Sequence, residues 1–226
     1  MSYILDPTNW DITDPESIPN LLFAHLSITG ISLLIGLILA FPIALLVMRY
    51  QRLYLPVITG AGIIYTIPSL ALLALLVPFT GLNAPTIIIP LVLYAQIVLI
   101  RNIVAAIRAV DPQLVEVGRA MGMNQTQLLL RVVLPLALPV IVAGIRVATV
   151  TTIGIATLAP LIGVADLGTI IFRGRDFASV PLEAGGVILV CVLAVGADLL
   201  LLALQTALSG GFHFPFKLRL PAFRRA

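Results

Sequence analysis

The 226-residue sequence is poor in charge, cysteine and lysine. Charged residues make up 10% of the chain, whereas roughly a quarter of the residues in soluble domains are charged. Hydrophobic residues make up 60%, and the mean hydropathy is +1.14. This composition excludes an ordinary soluble domain and predicts an integral membrane protein. Cys191 is the only cysteine, which excludes an internal disulfide.

The chain also lacks the motifs of several functional classes. Its only lysine, Lys217, precedes leucine, so the phosphate-binding pattern G-x-x-x-x-G-K-[ST] is absent and we expect no ATPase activity from this chain. His25 and His213 are far apart, and no cysteine, histidine or carboxylate cluster has metal-ligand spacing. We therefore expect no metal and no cofactor, and we place both histidines at the membrane interface. The basic residues flank apolar runs, which argues against nucleic-acid binding.

Long uncharged stretches predict five membrane-spanning helices and hence an all-α polytopic fold. Residues 26–48 carry no charge and as a helix cover about 34 Å, enough to cross the hydrocarbon core. The uncharged stretch 53–100 is too long for one crossing, and "VPFTGLNAP" near its middle is typical of a turn. The predicted spans are 26–48, 56–78, 84–104, 139–161 and 184–208. Pro42, Pro68 and Pro90 lie inside predicted spans and are expected to kink them or to free backbone carbonyls.

The distribution of lysine and arginine predicts the orientation. With five spans, eleven basic residues fall on one side and only Arg173 and Arg175 on the other. The N-terminus is therefore expected outside and the C-terminus in the cytoplasm. We divide the chain into an extracytoplasmic tail (1–24), a membrane domain (25–208) and a basic cytoplasmic tail (209–226).

The longest cytoplasmic loop, about 108–138, has the sequence features of a helix pair. Asp111 and Pro112 suit the start of a first helix, and Gly122 suits its end. Asn124 and Gln127 have the spacing of a capping box for a second helix, which Pro135 is expected to end. The first helix carries an apolar stripe formed by Leu114, Val117 and Met121.

This apolar stripe predicts a protein partner. A helix that lies on a membrane surface is rich in lysine and large aromatics, and the loop contains neither. Docking of the first helix into a groove of another protein explains the stripe better.

The loop resembles the cytoplasmic "EAA" loop in permease subunits of ATP-binding-cassette importers. In that pattern an acidic residue is followed by two alanines, then a glycine, and later by Ile-x-Leu-Pro. Here Glu116, Gly122, Leu134 and Pro135 stand at the matching positions. Val117 and Gly118 replace the alanines, and Val132 replaces the isoleucine. Gly118 weakens the helix by roughly 1 kcal/mol relative to alanine, which a docked partner can offset.

Further stretches narrow the resemblance to one subfamily. "YTIPSLALLALLVPFTGL", "LPVIVAGIR" and "APLIGVADLGTIIFRG" are similar to segments of permeases for glycine betaine, carnitine and choline, and the similarity covers about 22–208. The resemblance implies a multi-pass subunit of a bacterial or archaeal cytoplasmic membrane. It also implies three protein partners besides the lipid bilayer: an ATPase dimer, a second permease subunit and an extracytoplasmic substrate-binding protein.

Two other functions stay open on the sequence alone. One is an importer permease for an amino acid such as methionine. The other is an ion-coupled secondary transporter, which needs carboxylates at mid-membrane; Asp198 is the one candidate, and it is equally suited to pairing with Arg146.

The candidate site residues form three groups. The coupling loop is expected to transmit force from the ATPase, and its key residues are Glu116, Arg119, Gly122, Leu134 and Pro135. Polar residues at bilayer depth are candidates for the solute pathway, namely Tyr65, Ser69, Thr149 and Thr152. Charged residues after the fourth span are candidates for an external gate or a contact with the binding protein, namely Asp166, Arg173, Arg175 and Asp176.

Overall fold

The structure is a computed structural model that describes residues 2–209. Most of the expected basic tail, including Lys217 and His213, lies outside the described residues. The helices are α1 (Ser2–Leu5), α2 (Ile18–Arg49), α3 (Tyr54–Thr66), α4 (Ser69–Thr80), α5 (Ala84–Arg108), α6 (Pro112–Ala120), α7 (Gln125–Leu128), α8 (Leu134–Ala156), α9 (Gly168–Asp176) and α10 (Val180–Ser209). Short 3-10 turns occupy Pro7–Trp10, Gln51–Leu53 and Ala159–Ile162, and a π-helical turn, Leu129–Val133, joins α7 to α8.

Four helices are long and apolar enough to cross a membrane, and the count is five if a bent helix pair is taken as one span. The four are Ile18–Arg49, Ala84–Arg108, Gln125–Ala156 and Val180–Ser209, and no strand occurs within residues 2–209. The predicted all-α polytopic fold is therefore confirmed. The first of these helices begins at Ile18, earlier than the predicted span, because the apolar sequence already continues in that direction through a helix-starting Ser-Ile-Pro.

The second predicted span is broken into α3 and α4, which meet at 90°. Ile67 and Pro68 are extended at the break, because proline disfavours the helical conformation of the residue before it. The break leaves the carbonyl of Ile67 outside any helix, and the Tyr94 hydroxyl donates a hydrogen bond to it over 2.9 Å. The predicted kink at Pro68 is confirmed, but the prediction of one continuous helix over 56–78 is wrong.

Helix α5 forms the centre of the bundle. It packs against α2, α3, α4 and α8, while α10 packs against α8 and α9. Small residues permit the close approach of α2, since Ala40 and Ala44 are fully buried against Leu99 of α5 and its neighbours. Gly144 serves the same purpose on α8, where an added Cβ would lie 2.3 Å from the Cβ of Asn102.

Candidate functional site

The first helix of the loop between α5 and α8 begins where its sequence indicates. The Asp111 carboxylate accepts a hydrogen bond from the backbone N–H of Gln113 at 2.8 Å, and Pro112 occupies the first helical position. The side chain thus satisfies one of the free amides at the start of α6. This part of the prediction is confirmed.

A Schellman motif ends α6. Gly122 has φ +79°, its N–H donates to the carbonyl of Arg119, and the N–H of Met123 donates to the carbonyl of Gly118. These two bonds use carbonyls that the end of a helix leaves free. The prediction that Gly122 stops the helix is confirmed, and its positive φ explains why glycine stands there.

The second helix of the loop also begins as predicted but does not end where expected. Asn124 and Gln127 form a capping box, with bonds of 2.9 Å and 3.0 Å between each side chain and the other residue's backbone N–H. Pro135, however, does not end this helix, which continues from Gln125 to Ala156. The π-helical turn before Pro135 widens the helix and accommodates a residue that has no N–H to donate. The prediction for Pro135 is therefore wrong.

The two limbs of the loop, α6 before Gly122 and α7 after it, pack closely at Gly118. This residue is buried, and a Cβ added there would lie 2.6 Å from Cδ1 of Leu128 and 3.6 Å from Sδ of Met123. The departure from the alanine pair of the "EAA" pattern therefore has a local reason, because glycine lets the returning limb cross over α6.

This packing leaves the apolar stripe of α6 uncovered. Leu114, Val117 and Met121 are 43%, 57% and 71% exposed. Glu116 and Arg119 are exposed as well, and within residues 2–209 neither forms a salt bridge. Helix α6 thus presents apolar side chains and two unpaired charges of opposite sign on a closely packed hairpin, which is suited to docking against another protein.

The candidate external residues occupy different environments. Arg173 pairs with Glu16, which joins α9 to the segment before α2, and this arginine lowers the pKa of Glu16 below its usual value by a hydrogen bond and by its charge. Arg175 and Asp176 are exposed. Asp166 is fully buried, so of its two predicted roles, external gate or contact with the binding protein, the direct contact is not possible in this structure.

The four candidate pathway residues differ in exposure, because two are buried and two are at least partly exposed. Thr149 and Thr152 are buried inside the protomer and donate to the carbonyls of Ile145 and Ala148 in their own helix. Because both side chains are buried, they do not line a surface open to solute in this structure, which corrects the prediction for these two residues. Tyr65 is 43% exposed and Ser69 is partly exposed, both beside the break between α3 and α4, so they alone remain pathway candidates.

Asp198 is paired with Arg146, as one of the two sequence interpretations expected. Two hydrogen bonds of 2.9 and 2.8 Å join the guanidinium to both carboxylate oxygens, and a third of 2.8 Å joins it to Oε1 of Gln205. A carboxylate engaged by both oxygens is poorly suited to act alone as an ion or proton carrier.

A second pair, His25 with Asp166, was not predicted from the sequence, and unlike Arg146 with Asp198 it is fully buried. Both side chains have no exposed surface, and Nδ1 of His25 lies 2.8 Å from Oδ2 of Asp166. His25 is therefore enclosed by protein and is not exposed to water or lipid. No local pattern could have indicated this pair, because the two residues are 141 positions apart by their numbering and both have mostly apolar neighbours.

Comparison with known families decides the class of protein. The family model described as "Binding-protein-dependent transport system inner membrane component" matches residues 32–212. The chain belongs to this family. It is thus a multi-pass inner-membrane subunit of a transport system, as the resemblance of the loop implied.

Relatives with assigned functions cover most of this permease-family chain. It is 39% identical over 186 residues to the choline transport system permease protein OpuBD of Bacillus subtilis, covering 82% of each chain. It is 38% identical to the carnitine transport permease protein OpuCB of Listeria monocytogenes, covering 82% of this chain and 85% of the relative. It is 33% identical to the osmoprotectant import permease protein OsmW of Salmonella typhimurium, covering 91% and 98%.

Solved structures support the fold. The inward-facing MetNI methionine ABC transporter has a chain that superimposes with a TM-score of 0.73 at 22% identity, covering 84% of this chain and 95% of that chain. A crystal structure of an amino acid ABC transporter with histidines gives a TM-score of 0.65 at 21% identity, covering 86% and 93%.

Proposed function

We propose that this chain is the permease subunit of an importer for a quaternary ammonium osmoprotectant of the glycine betaine, carnitine or choline type. It works with a second permease subunit, a separate ATPase dimer and an extracytoplasmic substrate-binding protein. The relatives named for choline, carnitine and osmoprotectant transport support the substrate class. The uncovered apolar stripe on α6 is the observation that supports the role of the subunit.

The hairpin connects the docking surface directly to a membrane helix. The capping box of Asn124 and Gln127 starts a helix that runs on to Ala156 across the bilayer. Movement of α6 is therefore transmitted to α8 through one turn, the turn at Gly122. In the proposed cycle, closure of the ATPase dimer displaces α6, and α8 carries that displacement into the pathway between the two permeases.

Recognition of the solute is assigned mainly to the binding protein. A quaternary ammonium group is held best by several aromatic rings around it. Beside the break between α3 and α4 the structure offers Tyr65 and Tyr94, whose rings are 5.9 Å apart and edge-to-face. Tyr94 is buried, so only Tyr65 faces a solute there, which suits passage better than tight binding.

The role of the α6 stripe is tested by Val117→Asp in proteoliposomes that contain the permease, ATPase and binding protein. A charge buried without a partner at the interface is expected to weaken ATPase binding and to reduce ATP-driven uptake by at least about tenfold. Thr126→Asp adds the same charge to the exposed second limb and is expected to leave uptake unchanged. Normal uptake and ATPase binding in Val117→Asp would contradict the docking role.

The amino-acid and ion-coupled alternatives are separated by two further measurements. Binding of radiolabelled choline, glycine betaine and methionine to the partner binding protein decides between the substrate classes. Asp198→Asn separates the energy sources, because an ATP-driven permease keeps uptake in this variant when the protein still assembles. Loss of uptake at normal assembly, or uptake by this subunit alone under an ion gradient, would favour the ion-coupled transporter.

A further inference from the structure

The corner between α2 and α3 forms an open groove that is lined by both apolar and polar side chains. Its lining consists of Leu46, Tyr50, Gln51, Arg52 and Leu53. The groove has a volume of about 720 Å³, which lies within the range of small-molecule sites, roughly 300–1,000 Å³. All five side chains are exposed, so the groove is accessible from outside the protein.

The groove lies at a membrane boundary. The uncharged stretch 26–48 ends immediately before Arg49, and the next uncharged stretch begins at Leu53. The residues between them therefore lie where the two apolar segments leave the hydrocarbon core. Tyrosine is enriched at this depth because its ring is apolar and its hydroxyl is polar, and Tyr50 and Tyr54 both stand at the corner. The groove is thus surrounded by phospholipid headgroups.

The two arginines of the corner have no carboxylate partner. Arg49 and Arg52 are exposed, and neither forms a salt bridge within the described part of the chain. The sequence has no aspartate or glutamate between Glu16 and Asp111, so α2 to α5 offer them none. The Arg49 guanidinium lies over the ring of Tyr50, 5.6 Å from its centroid. Two unpaired guanidinium groups beside an apolar groove complement a ligand that has an anionic head and an apolar chain.

The opposite end of the bundle lacks this combination. Helix α9 packs against the start of α2 and also carries two arginines, Arg173 and Arg175. Arg173 is paired with Glu16, and Asp176 and Glu183 follow in the next ten residues. The carboxylates at that end oppose the binding of an anion, so the charge pattern favours an anionic ligand at the α2–α3 corner alone.

A third arginine places the corner on the same side of the membrane as the coupling loop. The Arg108 guanidinium lies over the ring of Tyr54, 5.0 Å from its centroid. Arg108 is the last residue of α5, and Pro112 begins α6 four positions later. The groove therefore opens to the leaflet next to the coupling loop, which the lysine and arginine distribution predicts to be the cytoplasmic leaflet.

We propose that the α2–α3 corner is a binding site for an anionic phospholipid. The guanidinium groups of Arg49 and Arg52 hold the phosphate, since guanidinium binds phosphate through parallel hydrogen bonds. An acyl chain of the same lipid lies against Leu46 and Leu53. A carboxylate from a protein partner satisfies the two charges but leaves these leucines uncovered at the membrane boundary, which is why the groove is assigned to a lipid.

Brominated lipid measures binding at the groove itself. Tyr50→Trp in a Trp10→Phe background leaves one tryptophan in the chain. The full-length protein is reconstituted in phosphatidylcholine with a rising fraction of brominated phosphatidylglycerol, which quenches this tryptophan on contact. Each arginine near an anionic surface contributes roughly a fivefold preference, so phosphatidylglycerol is expected to bind about 25-fold more tightly than phosphatidylcholine. Combining Arg49→Gln with Arg52→Gln should reduce the ratio to about 1. A ratio of about 1 with both arginines present would overturn the proposal.

Arg175→Gln is the matched control for these substitutions. Arg175 is also exposed, and its guanidinium also lies over an aromatic ring, 5.8 Å from the centroid of Phe172. The preference for phosphatidylglycerol should therefore stay at about 25-fold in this variant. A fall of about fivefold or more would show that overall charge sets the preference. Displacement of the brominated lipid by inorganic phosphate would show a site for free anions. Either result would overturn the proposal.

Native mass spectrometry tests the wild type without the introduced tryptophan. Full-length protein from micelles that contain both lipids should retain phosphatidylglycerol. The lipid should be lost when Arg49 and Arg52 are replaced by glutamine and kept in Arg175→Gln. In pure phosphatidylcholine membranes the double variant should bind the ATPase as the wild type does. Weaker ATPase binding there would assign the two arginines to a protein contact and overturn the proposal, as would a wild type that retains no phosphatidylglycerol.

Discussion

The turn at Gly122 gives the most direct test of how the loop is built. Substitution by alanine adds a methyl group that has no heavy atom within 4 Å, so steric contact contributes nothing to its effect. The whole cost comes from holding an L-residue at φ +79°, which is about 1–2 kcal/mol. Gly122→Ala is therefore expected to shift the equilibrium between closed and open turn by roughly 5- to 30-fold toward the open form.

Hydrogen exchange of the purified permease measures this equilibrium at the atoms concerned. The N–H groups of Gly122 and Met123 form the two bonds of the Schellman motif, so the N–H groups at these two positions should exchange roughly 5- to 30-fold faster in the variant. Gly30→Ala is the matched control, because Gly30 also has open space around it but lies within α2 and has no positive φ.

The same pair of variants connects the turn to transport. Opening of the turn uncouples α6 from α8, so Gly122→Ala should lower ATP-driven uptake while Gly30→Ala leaves it unchanged. Unaltered exchange at positions 122 and 123 would refute the strain calculation itself. Faster exchange with normal uptake would instead refute the idea that this turn transmits force.

Three further predictions follow from local geometry. Ala178→Gly should raise the melting temperature, because alanine at φ +51° costs about 1 kcal/mol that glycine does not; an unchanged or lower value would contradict this. Gly144→Ala should lower it, since the added methyl group would overlap Asn102; a melting temperature at or above that of wild type would show that α5 and α8 separate easily. The contact between Glu16 and Arg173 should persist above the usual glutamate pKa and be lost as pH falls through the lowered folded-state pKa. The protection of backbone amides in the segment before α2, measured relative to their intrinsic exchange rates at each pH, should therefore fall on acidification, and Glu16→Gln should show the lower protection already at neutral pH.

Local sequence signals predicted the loop well. Asp111, Gly122 and the Asn124–Gln127 box each act through hydrogen bonds to backbone within a few residues, so the sequence contains both partners. Pro135 misled the prediction because the same residue type can end one helix or begin the next. Only the widened turn before it decides between these outcomes, and that turn has no sequence signature of its own.

Features that depend on distant residues could not be predicted in this way. The break at Pro68 is tolerated because Tyr94, on another helix, supplies a hydrogen bond to the exposed carbonyl. The burial of His25 depends on Asp166 and on the end of α8. The pairing of Arg146 with Asp198 was anticipated only because both stood out as charges in apolar helices.

The two short helices at opposite ends of α8 are built on the same plan. Each helix ends in a Schellman motif, and in each the hydrogen bond that spans five residues is accepted by the carbonyl of a glycine. In α6 this is Gly118, which accepts from the N–H of Met123, and in α9 it is Gly174, which accepts from the N–H of Ser179. Both glycines lie where the returning limb crosses, since an added Cβ would lie 2.6 Å from Leu128 in one case and 2.2 Å from the backbone of Glu183 in the other. In both hairpins the returning limb is the beginning of a membrane-spanning helix. A force applied to either short helix therefore reaches a membrane-spanning helix through a single turn, which suits the separate ATPase and binding-protein partners proposed for this subunit.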